Sequence, residues 1–410
     1  MSLETVIQEH KKTLGNRYTC QLEVLSPVHI GSGVKLAQGM DFWTDSNKTY
    51  IVEQEQLMNF LSERIEDNPD IEPDEIKDFS GNDRDKRHAI LKKVGASKTY
   101  NLACPTSEIS QFERDGNGVP YMPGSSIKGA IRTALFNRFY NQLPLHIKDF
   151  QINNLGRNPQ WAADKLAKKI LGEDSNHDFM RSLVVGDVFF NESNLELKET
   201  HVLKHSDTTG NSCVWKNINR TDNRMIVTAE MLRPQVAKAQ FSLRFDSFLL
   251  DRGFFGNKEL NLETLCSIIN EHSRHLLDVD SIYFDKLKPK PLNSNTAKGQ
   301  QDNPFAALKQ TFGSFDELDT IRQQITQLKN LIPPKETPQY KTSFVLPIGW
   351  GIGWGGMTGT FLKTNEIYNL RERGIIKQGT RNFLFPKSRK IVFQNSSPQY
   401  LSGWVKIKVN

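Results

Sequence analysis

Cysteine is scarce in this chain. Cys20, Cys104, Cys213 and Cys266 are the four in 410 residues, too far apart for the short ligand pairs of a structural zinc site and too few for a disulfide-built secreted scaffold. That sparsity suits a reducing compartment. Long apolar runs are also missing: no window approaches the roughly 18 uncharged apolar residues of a membrane-crossing helix. The opening MSLETVIQEHKKTLGNR carries charge before and inside its weakly apolar stretch, so a leader peptide is not expected. A soluble, cytoplasmic protein without membrane contact is expected. No GxxxxGK[ST] string is present, which excludes a P-loop, and no period of about 20–50 residues marks a repeat array. Charge of one sign barely dominates: 53 Lys and Arg against 47 Asp and Glu leave a net +6. That balance permits an anionic partner without identifying one.

What is present is a folded chain with shaped loops: 37% hydrophobic residues, 10% aromatics, 27 glycines and 18 prolines. Strand and helix patterns alternate, predicting an α+β fold. YTCQLEVLSPVHI at 18–30 reads as a strand ended by the IGSG turn, and SLVVGDVFF at 182–190 as a buried strand with a glycine irregularity. RMIVTAEML and AQFSLRFDSFLL, joined by RPQVAK, read as a long strand pair, with 200–224 as a polar loop between earlier elements. LSGWVKIKV reads as a terminal strand. Helices are expected in VPYMPGSSIKGAIRTALFNRFY, where Ile127, Ile131, Ala134, Leu135 and Phe139 recur near period 3.6, and around WAADKLAKKILG, 258–278 and 316–330. Between them, KLKPKPLNSNTAKGQQDNPF reads as a linker.

Charge is unevenly placed. Residues 57–77, including IEDNPDIEPDE, are strongly acidic and suit a solvated helix and loop rather than a phosphate channel. Residues 371–410 hold nine Lys and Arg against Glu372, a regional +8. Trp350, Trp354, Phe383, Phe385 and Trp404 are interleaved with this basic region and with SFVLPIGWGIGWGGMTGTF, which has six glycines within 349–359. Basic residues hold phosphates and aromatic rings stack on bases, so the combination suits RNA, although each aromatic taken singly suits a core.

Other motifs weigh less. GIGWGG fits GxGxxG at Gly351, Gly353 and Gly356, with Glu372 at the distance of a ribose-binding acid. It lies too near the end of the chain for a second mononucleotide half and no clean helix follows, so a dinucleotide site is rejected and no cofactor is expected. His201 with His205, which could share a helical face, and His272 with His275, on a polar helix face, lack a familiar metal-ligand spacing, and no metal is expected. His29, beside the glycine turn, is a candidate base-stacking or structural imidazole, and a weaker candidate general base. In PGSSIKGAIRTA, Pro123 and Gly124 shape a helix start and Ser125 or Ser126 could cap it. The first-turn amides suit a phosphate, and Lys128 and Arg132 line one face.

Taken together, LSPVHIGSG, YMPGSSIKGAIRTALFNRF, FMRSLVVGDV, LPIGWGIGWGG and FPKSRKIVF followed by LSGWVKI resemble the RAMP superfamily of CRISPR proteins. The combination is most like the terminal backbone subunit of type III-A Csm effector complexes. The resemblance implies a modified ferredoxin-like, RNA-recognition-like core with helical and β insertions. It divides the chain into an N-terminal RAMP core at 1–250 with an insertion near 53–117, a helical and linker insertion at 251–340, and a segment at 341–410 completing the core or forming a second ferredoxin-like unit.

The implied role is a non-catalytic ribonucleoprotein subunit that caps the guide-RNA filament toward its 3′ end and supports guide maturation, assembly and antiviral defence. Its implied partners are the guide RNA, target RNA near the matching end, a repeated RAMP backbone subunit and a small helical subunit. Implied RNA-binding residues are His29, Gly31 and Gly33; Ser125, Ser126, Lys128 and Arg132; Gly351, Gly353, Gly355 and Gly356; and Arg389 and Lys390. No catalytic residue is implied. GWGGMTGT departs from the His-Ser-Lys-like continuation of many terminal Csm relatives, which leaves a related type III branch open. A RAMP endoribonuclease and a pure protein scaffold are the competing functions.

Overall fold

A computed structural model describes residues 17–67, 84–144, 146–148, 164–174, 176–205, 212–218, 224–251, 260–286, 288–289, 316–353, 356 and 388–410. Its strands are β1 (Arg17–Val24), β2 (Gly31–Ala37), β3 (Phe42–Asp45), β4 (Lys48–Val52), β5 (Ala96–Tyr100), β6 (Glu108–Phe112), β7 (Tyr121–Met122), β8 (Leu183–Val185), β9 (Val188–Phe189), β10 (Leu195–His205), β11 (Ser212–Trp215), β12 (Ile226–Leu232), β13 (Lys238–Phe245), β14 (Lys288–Pro289), β15 (Ser343–Pro347), β16 (Ser388–Gln394), β17 (Ser397–Leu401) and β18 (Trp404–Val409). The α-helices are α1 (Gln54–Asp67), α2 (Arg84–Val94), α3 (Gly124–Gln142), α4 (Asp164–Leu171), α5 (Ser247–Asp251), α6 (Leu262–Lys286) and α7 (Asp316–Leu331).

The first sheet runs β15-β18-β1-β13-β8 and is antiparallel throughout. In β1 the alternation of RYTCQLEV puts Cys20, Leu22 and Val24 wholly inside, with Thr19, Gln21 and Glu23 on the other face. Helix α3 joins β1's side of the chain to β8, and α6 follows β13. Ile127, Ile131, Ala134 and Leu135 of α3 meet Leu265, Cys266 and Ile269 of α6 in the same core as the β1 side chains. The order β18-β1-β13-β8, with these two helices, is the ferredoxin-like arrangement. Edge strand β15 is fully buried because α6 covers it: Asn270 bonds the Ser343 carbonyl at 2.9 Å and Ser273 the Val345 carbonyl at 2.6 Å.

The second sheet runs β14-β11-β10-β12-β6-β2, with β16 against the free side of β10 and β17 beyond it. A third sheet, β3-β4-β5, packs under α1 and α2 through Trp43, Val52, Leu57, Leu61, Ile90 and Val94. β7 and β9 form a short ribbon.

Several local expectations change. The predicted pair at 226–232 and 238–245 is split between sheets: β12 lies between β10 and β6, and β13 lies on β1 with Cys20 opposite Phe241. β13 alternates as expected, whereas β12 is buried on both faces from Thr228 to Leu232, and the two pack in different layers. The strand at 18–30 stops at Val24, and Gly31 begins a strand rather than ending one. The polar stretch at 200–224 holds the end of β10 and all of β11, so His201 lies in a strand, where no helical face with His205 exists. His272 is not on a polar face. It is buried in α6, and burial with nearby His275 pushes its pKa down to about 4. Most of the expected linker after α6 lies outside the described residues.

Candidate nucleic-acid interface

After β1 the chain crosses from the first sheet to the second in an extended stretch. Leu25 and Ser26 donate to the Trp404 carbonyl at 2.9 and 3.1 Å, and the Gly403 N–H donates to Pro27 at 2.9 Å. Val28 bridges Leu232 of β12, His29 bridges Trp350, and the Trp350 N–H reaches the His29 carbonyl at 2.8 Å. The two glycine-rich motifs, PVHIGSG and PIGWGIG, are therefore zipped side by side. Glycine is required at Gly349 (φ +83°), where a Cβ would stand 2.4 Å from the His29 oxygen. At Gly403 (φ +90°) it would stand 2.4 Å from the Ile348 oxygen. The Ser402 hydroxyl, within hydrogen-bond distance of the Pro27 and Trp350 carbonyls, ties the turn beneath.

His29 is 3% exposed. Its Nδ1–H donates to the Glu230 carbonyl at 2.7 Å, and the ring meets Phe112 and Trp350 edge-on. Burial pulls its pKa down, so the ring is neutral with its proton on Nδ1. This corrects the expectation of an imidazole presented to RNA or acting as a general base: the ring is a structural pin between the two loops.

Trp350 is half-buried, and Lys390 Nζ sits 3.8 Å from its ring centroid, within cation–π range. Partial burial lowers the Lys390 pKa. Register identifies the surface this pair belongs to. Lys390 stands opposite Val202, Val392 opposite Thr200, Lys198 opposite Ala229, Ala229 opposite Ser110, and Ser110 opposite Lys35. Directly paired residues share a face, so Lys35, Lys198, Lys204 and Lys390 all project from one side of the second sheet. Lys35 donates to the Ser110 hydroxyl, and Lys198 pairs with Glu196 at 3.2 Å. Ala229, Met231 and Val392 form the apolar floor, with Trp350 and Tyr400 packed on it. The buried Thr200 hydroxyl on this face has no hydrogen-bond partner among the described residues. Lysines, an aromatic ring and a spare hydroxyl together suit a phosphate and base ligand.

The other face of the same sheet is a closed interior. Buried Glu230 accepts from the Tyr100 hydroxyl, from the Phe112 N–H at 2.9 Å and from Arg114, whose Nη2 reaches both carboxylate oxygens at 3.1 Å. Arg114 also pairs with Glu192, which takes Lys98 at 2.7 Å. This network, invisible in the sequence, locks the β3-β4-β5 sheet and the second sheet together behind the His29 pin.

The remaining expected residues divide. Gly31 opens β2 beside the His29 ring, and Gly33 (φ +86°) has open space around its α-carbon. Gly351 and Gly353 lie in the Trp350 loop, Gly356 is buried against Ile352, and Gly355 lies outside the described residues. Arg389 faces the opposite way from Lys390. Its Nε donates to Asp280 at 2.7 Å, and its guanidinium lies 4.1 Å from the Tyr283 ring centroid. This corrects its reading as a phosphate contact: it ties β16 to α6. Trp404 is likewise 3% exposed in the core, while Trp354, Phe383 and Phe385 lie outside the described residues.

At the start of α3 the expected serine cap is replaced. Pro123 occupies the cap position without a side-chain bond, and the Gly124 N–H donates to Asp187 at 2.7 Å, so a carboxylate already stands at this helix end. Gly124 is needed because a Cβ would fall 2.2 Å from the Val185 oxygen. Ser125 is exposed, while Ser126, Lys128 and Arg132 are half-buried, with Lys128's pKa lowered by burial. Hydrogen bonds from Glu113 to Ile30 and from Tyr121 to Glu113 place this helix start two strand spacings, about 10 Å, from the His29 segment.

A ferredoxin-like core carrying glycine loops, a capped helix start and a lysine-lined second sheet defines a class that the family comparison identifies. The RAMP superfamily model matches residues 21–354, and the chain belongs to that family. Within it, the chain is 28% identical over 159 residues to the CRISPR system Cms protein Csm5 of Streptococcus thermophilus, covering 35% of this chain and 43% of that protein. It is 27% identical over 196 residues to Csm5 of Methanocaldococcus jannaschii, covering 45% and 46%. The chain thus spans less than half the length of the curated relatives it matches.

Two solved structures share the fold. A chain of the Csm–crRNA–target RNA ternary complex of a type III-A CRISPR-Cas system aligns with TM-score 0.61 at 20% identity, over 96% of this chain and 100% of that one. T. onnurineus Csm5 aligns with TM-score 0.53 at 19% identity, over 94% and 99%.

Proposed function

We propose that this chain is a guide-RNA-binding backbone subunit of a type III CRISPR effector ribonucleoprotein. In this reading it stands at the terminal position near the guide 3′ end and acts by holding RNA rather than cutting it. The observation that carries the reading is the convergence of both glycine loops, Trp350 and Lys390 on the lysine-lined face of the second sheet. Lys35 and Lys390 hold phosphates and Trp350 offers a ring for a base, a recognition mode indifferent to sequence, while Lys198, buried and paired with Glu196, supports the floor between them. Membership of the RAMP superfamily and the likeness to a chain of an RNA-bound Csm complex support it. The partners in this reading are guide RNA, target RNA near the matching end, a repeated RAMP subunit and a small helical subunit, all in the cytoplasm.

The test is fluorescence anisotropy of the full chain with a labelled guide fragment across a salt series. Affinity is expected to fall linearly on logarithmic axes as salt rises, and Lys390→Gln to reduce the slope by about 1. A salt-independent interaction, or none, refutes the reading.

A further inference from the structure

The ribbon that leads into α3 has a second exposed face whose chemistry is opposite to that of the lysine face. The Tyr121 N–H donates to the Glu113 carbonyl at 3.0 Å, Arg114 bridges Pro120, and the Asp115 N–H donates to the Val119 carbonyl at 3.0 Å. On its other side Tyr121 stands opposite Phe189 and Met122 opposite Val188. Strand alternation then sorts the side chains. Pro120, Met122, Val188 and Phe190 point into the core, and Arg114 points toward Glu192 and Glu230. Glu113, Asp115, Val119, Tyr121, Asp187 and Phe189 share the outer face. Phe189 is 50% exposed and Val119 38%. The Tyr121 and Phe189 rings are stacked, with centroids 5.5 Å apart and planes at 20°.

This face therefore presents two stacked aromatic rings and a valine among three carboxylates, and none of its six side chains is basic. Phosphate is repelled by that charge, so RNA does not belong here. An arginine or lysine finds both an aromatic ring and acidic partners, the combination that makes cation–π and charge-assisted contacts strong at interfaces. Exposed aromatics of this kind are also the side chains that dominate protein–protein binding energy.

We infer that the Tyr121–Phe189 face is a docking surface for a basic, partly apolar protein segment of a neighbouring subunit, with Phe189 and Tyr121 as the anchor and Glu113, Asp115 and Asp187 as the charge complement. The inference rests on the proposed role as an effector subunit, and it assigns the chain two opposed working surfaces: lysines toward RNA, carboxylates toward protein.

The test compares wild type with Phe189→Ala/Tyr121→Ala/Glu113→Lys in the full chain. Asp187 is left alone because it caps α3, and Asp115 because its Oδ1 accepts the Asn117 and Val119 N–H groups at 2.9 Å. Phe189→Ala by itself serves as a second variant with minimal risk to folding, and circular dichroism and melting check both. Two quantities are read: incorporation into the effector reconstituted from its purified protein subunits and guide RNA, by native mass spectrometry across a concentration series, and affinity of the isolated chain for the guide fragment.

The expected result is incorporation weakened about tenfold or more in the triple variant and several-fold in Phe189→Ala, with guide affinity of the isolated chain no weaker than wild type. Unchanged incorporation of a folded triple variant overturns the inference while leaving the proposed function standing. Unchanged incorporation with altered RNA affinity assigns the face to RNA and also overturns it. A wild-type chain that fails to assemble overturns both readings.

Discussion

Gly349→Ala and Gly353→Ala make a matched pair that tests whether the two glycine loops are truly interlocked. Both glycines have positive φ, +83° and +76°, so alanine at either costs about 1–2 kcal/mol of left-handed strain. They differ in surroundings. A Cβ on Gly353 meets nothing within 4 Å, whereas one on Gly349 lies 2.4 Å from the His29 carbonyl oxygen and 2.9 Å from Ile30 Cδ1. That oxygen cannot step aside, because it accepts the Trp350 N–H at 2.8 Å. Overpacking of this sort adds about 1–3 kcal/mol, giving about 2–5 kcal/mol for Gly349→Ala. At about 2 cal/mol/K of unfolding entropy per residue, a chain of this length loses about 1 °C of Tm per kcal/mol. Differential scanning calorimetry should therefore show Tm lowered by about 2–5 °C for Gly349→Ala and by about 1–2 °C for Gly353→Ala. Because Trp350 rides on the displaced loop and Lys390 packs over its ring, Gly349→Ala should also weaken guide-fragment binding more than Gly353→Ala does. Equal Tm losses in the two variants would refute the interlocked geometry.

Two further perturbations probe the framework behind the loops. Glu230→Ala strands the Phe112 N–H and the Tyr100 hydroxyl and leaves Arg114 with Glu192 and the Gly118 carbonyl. The expected cost is about 3–5 kcal/mol in urea unfolding, and a change below about 1 kcal/mol would show the network to be dispensable. His272 is neutral in the fold with a pKa near 4, against 6.5 in the unfolded chain. The unfolded state therefore takes up a proton first as pH falls. Stability is complete above about pH 6.5 and declines toward pH 4 by about 3 kcal/mol. Urea midpoints measured from pH 7 to pH 4 should flatten in His272→Gln, and an unchanged pH slope would contradict the burial argument.

Elements whose signal lies within a few residues of chain are legible from the sequence alone, wherever their packing partners come from. The apolar stripe of α3 is one case: Ile127, Ile131, Ala134 and Leu135 are buried and Phe139 packs against the same core. The strand of LSGWVKIKV and the glycine break in SLVVGDVFF are others, because periodicity and turn chemistry act over a few residues. The interface is only partly legible. PVHIGSG and GWGIGWGG both stand out, but their contact joins segments more than 300 positions apart. Lys35 and Lys198 give no signal beyond the alternation of their strands. Glu230, buried and fourfold bonded, sits in a run that reads simply as a strand, and a lone acid in such a run carries no mark of its partners.

Arg389 and Lys390 show where the boundary falls. Neighbours on a strand must point to opposite faces, so their adjacency already requires one to turn inward and one outward. Composition and pattern likewise establish that the chain is α+β, that its C-terminal stretch is basic, and that its glycine motifs resemble one family. Which of the two cations faces out depends on the layer that β16 packs against: α6 offers Asp280 and Tyr283 to Arg389, and the glycine loop offers Trp350 to Lys390. The same holds for β12 and β13, alike in pattern yet assigned to different sheets. Local sterics and periodicity fix what an element is, whereas its partners are chosen by burial and hydrogen bonding summed over the whole chain.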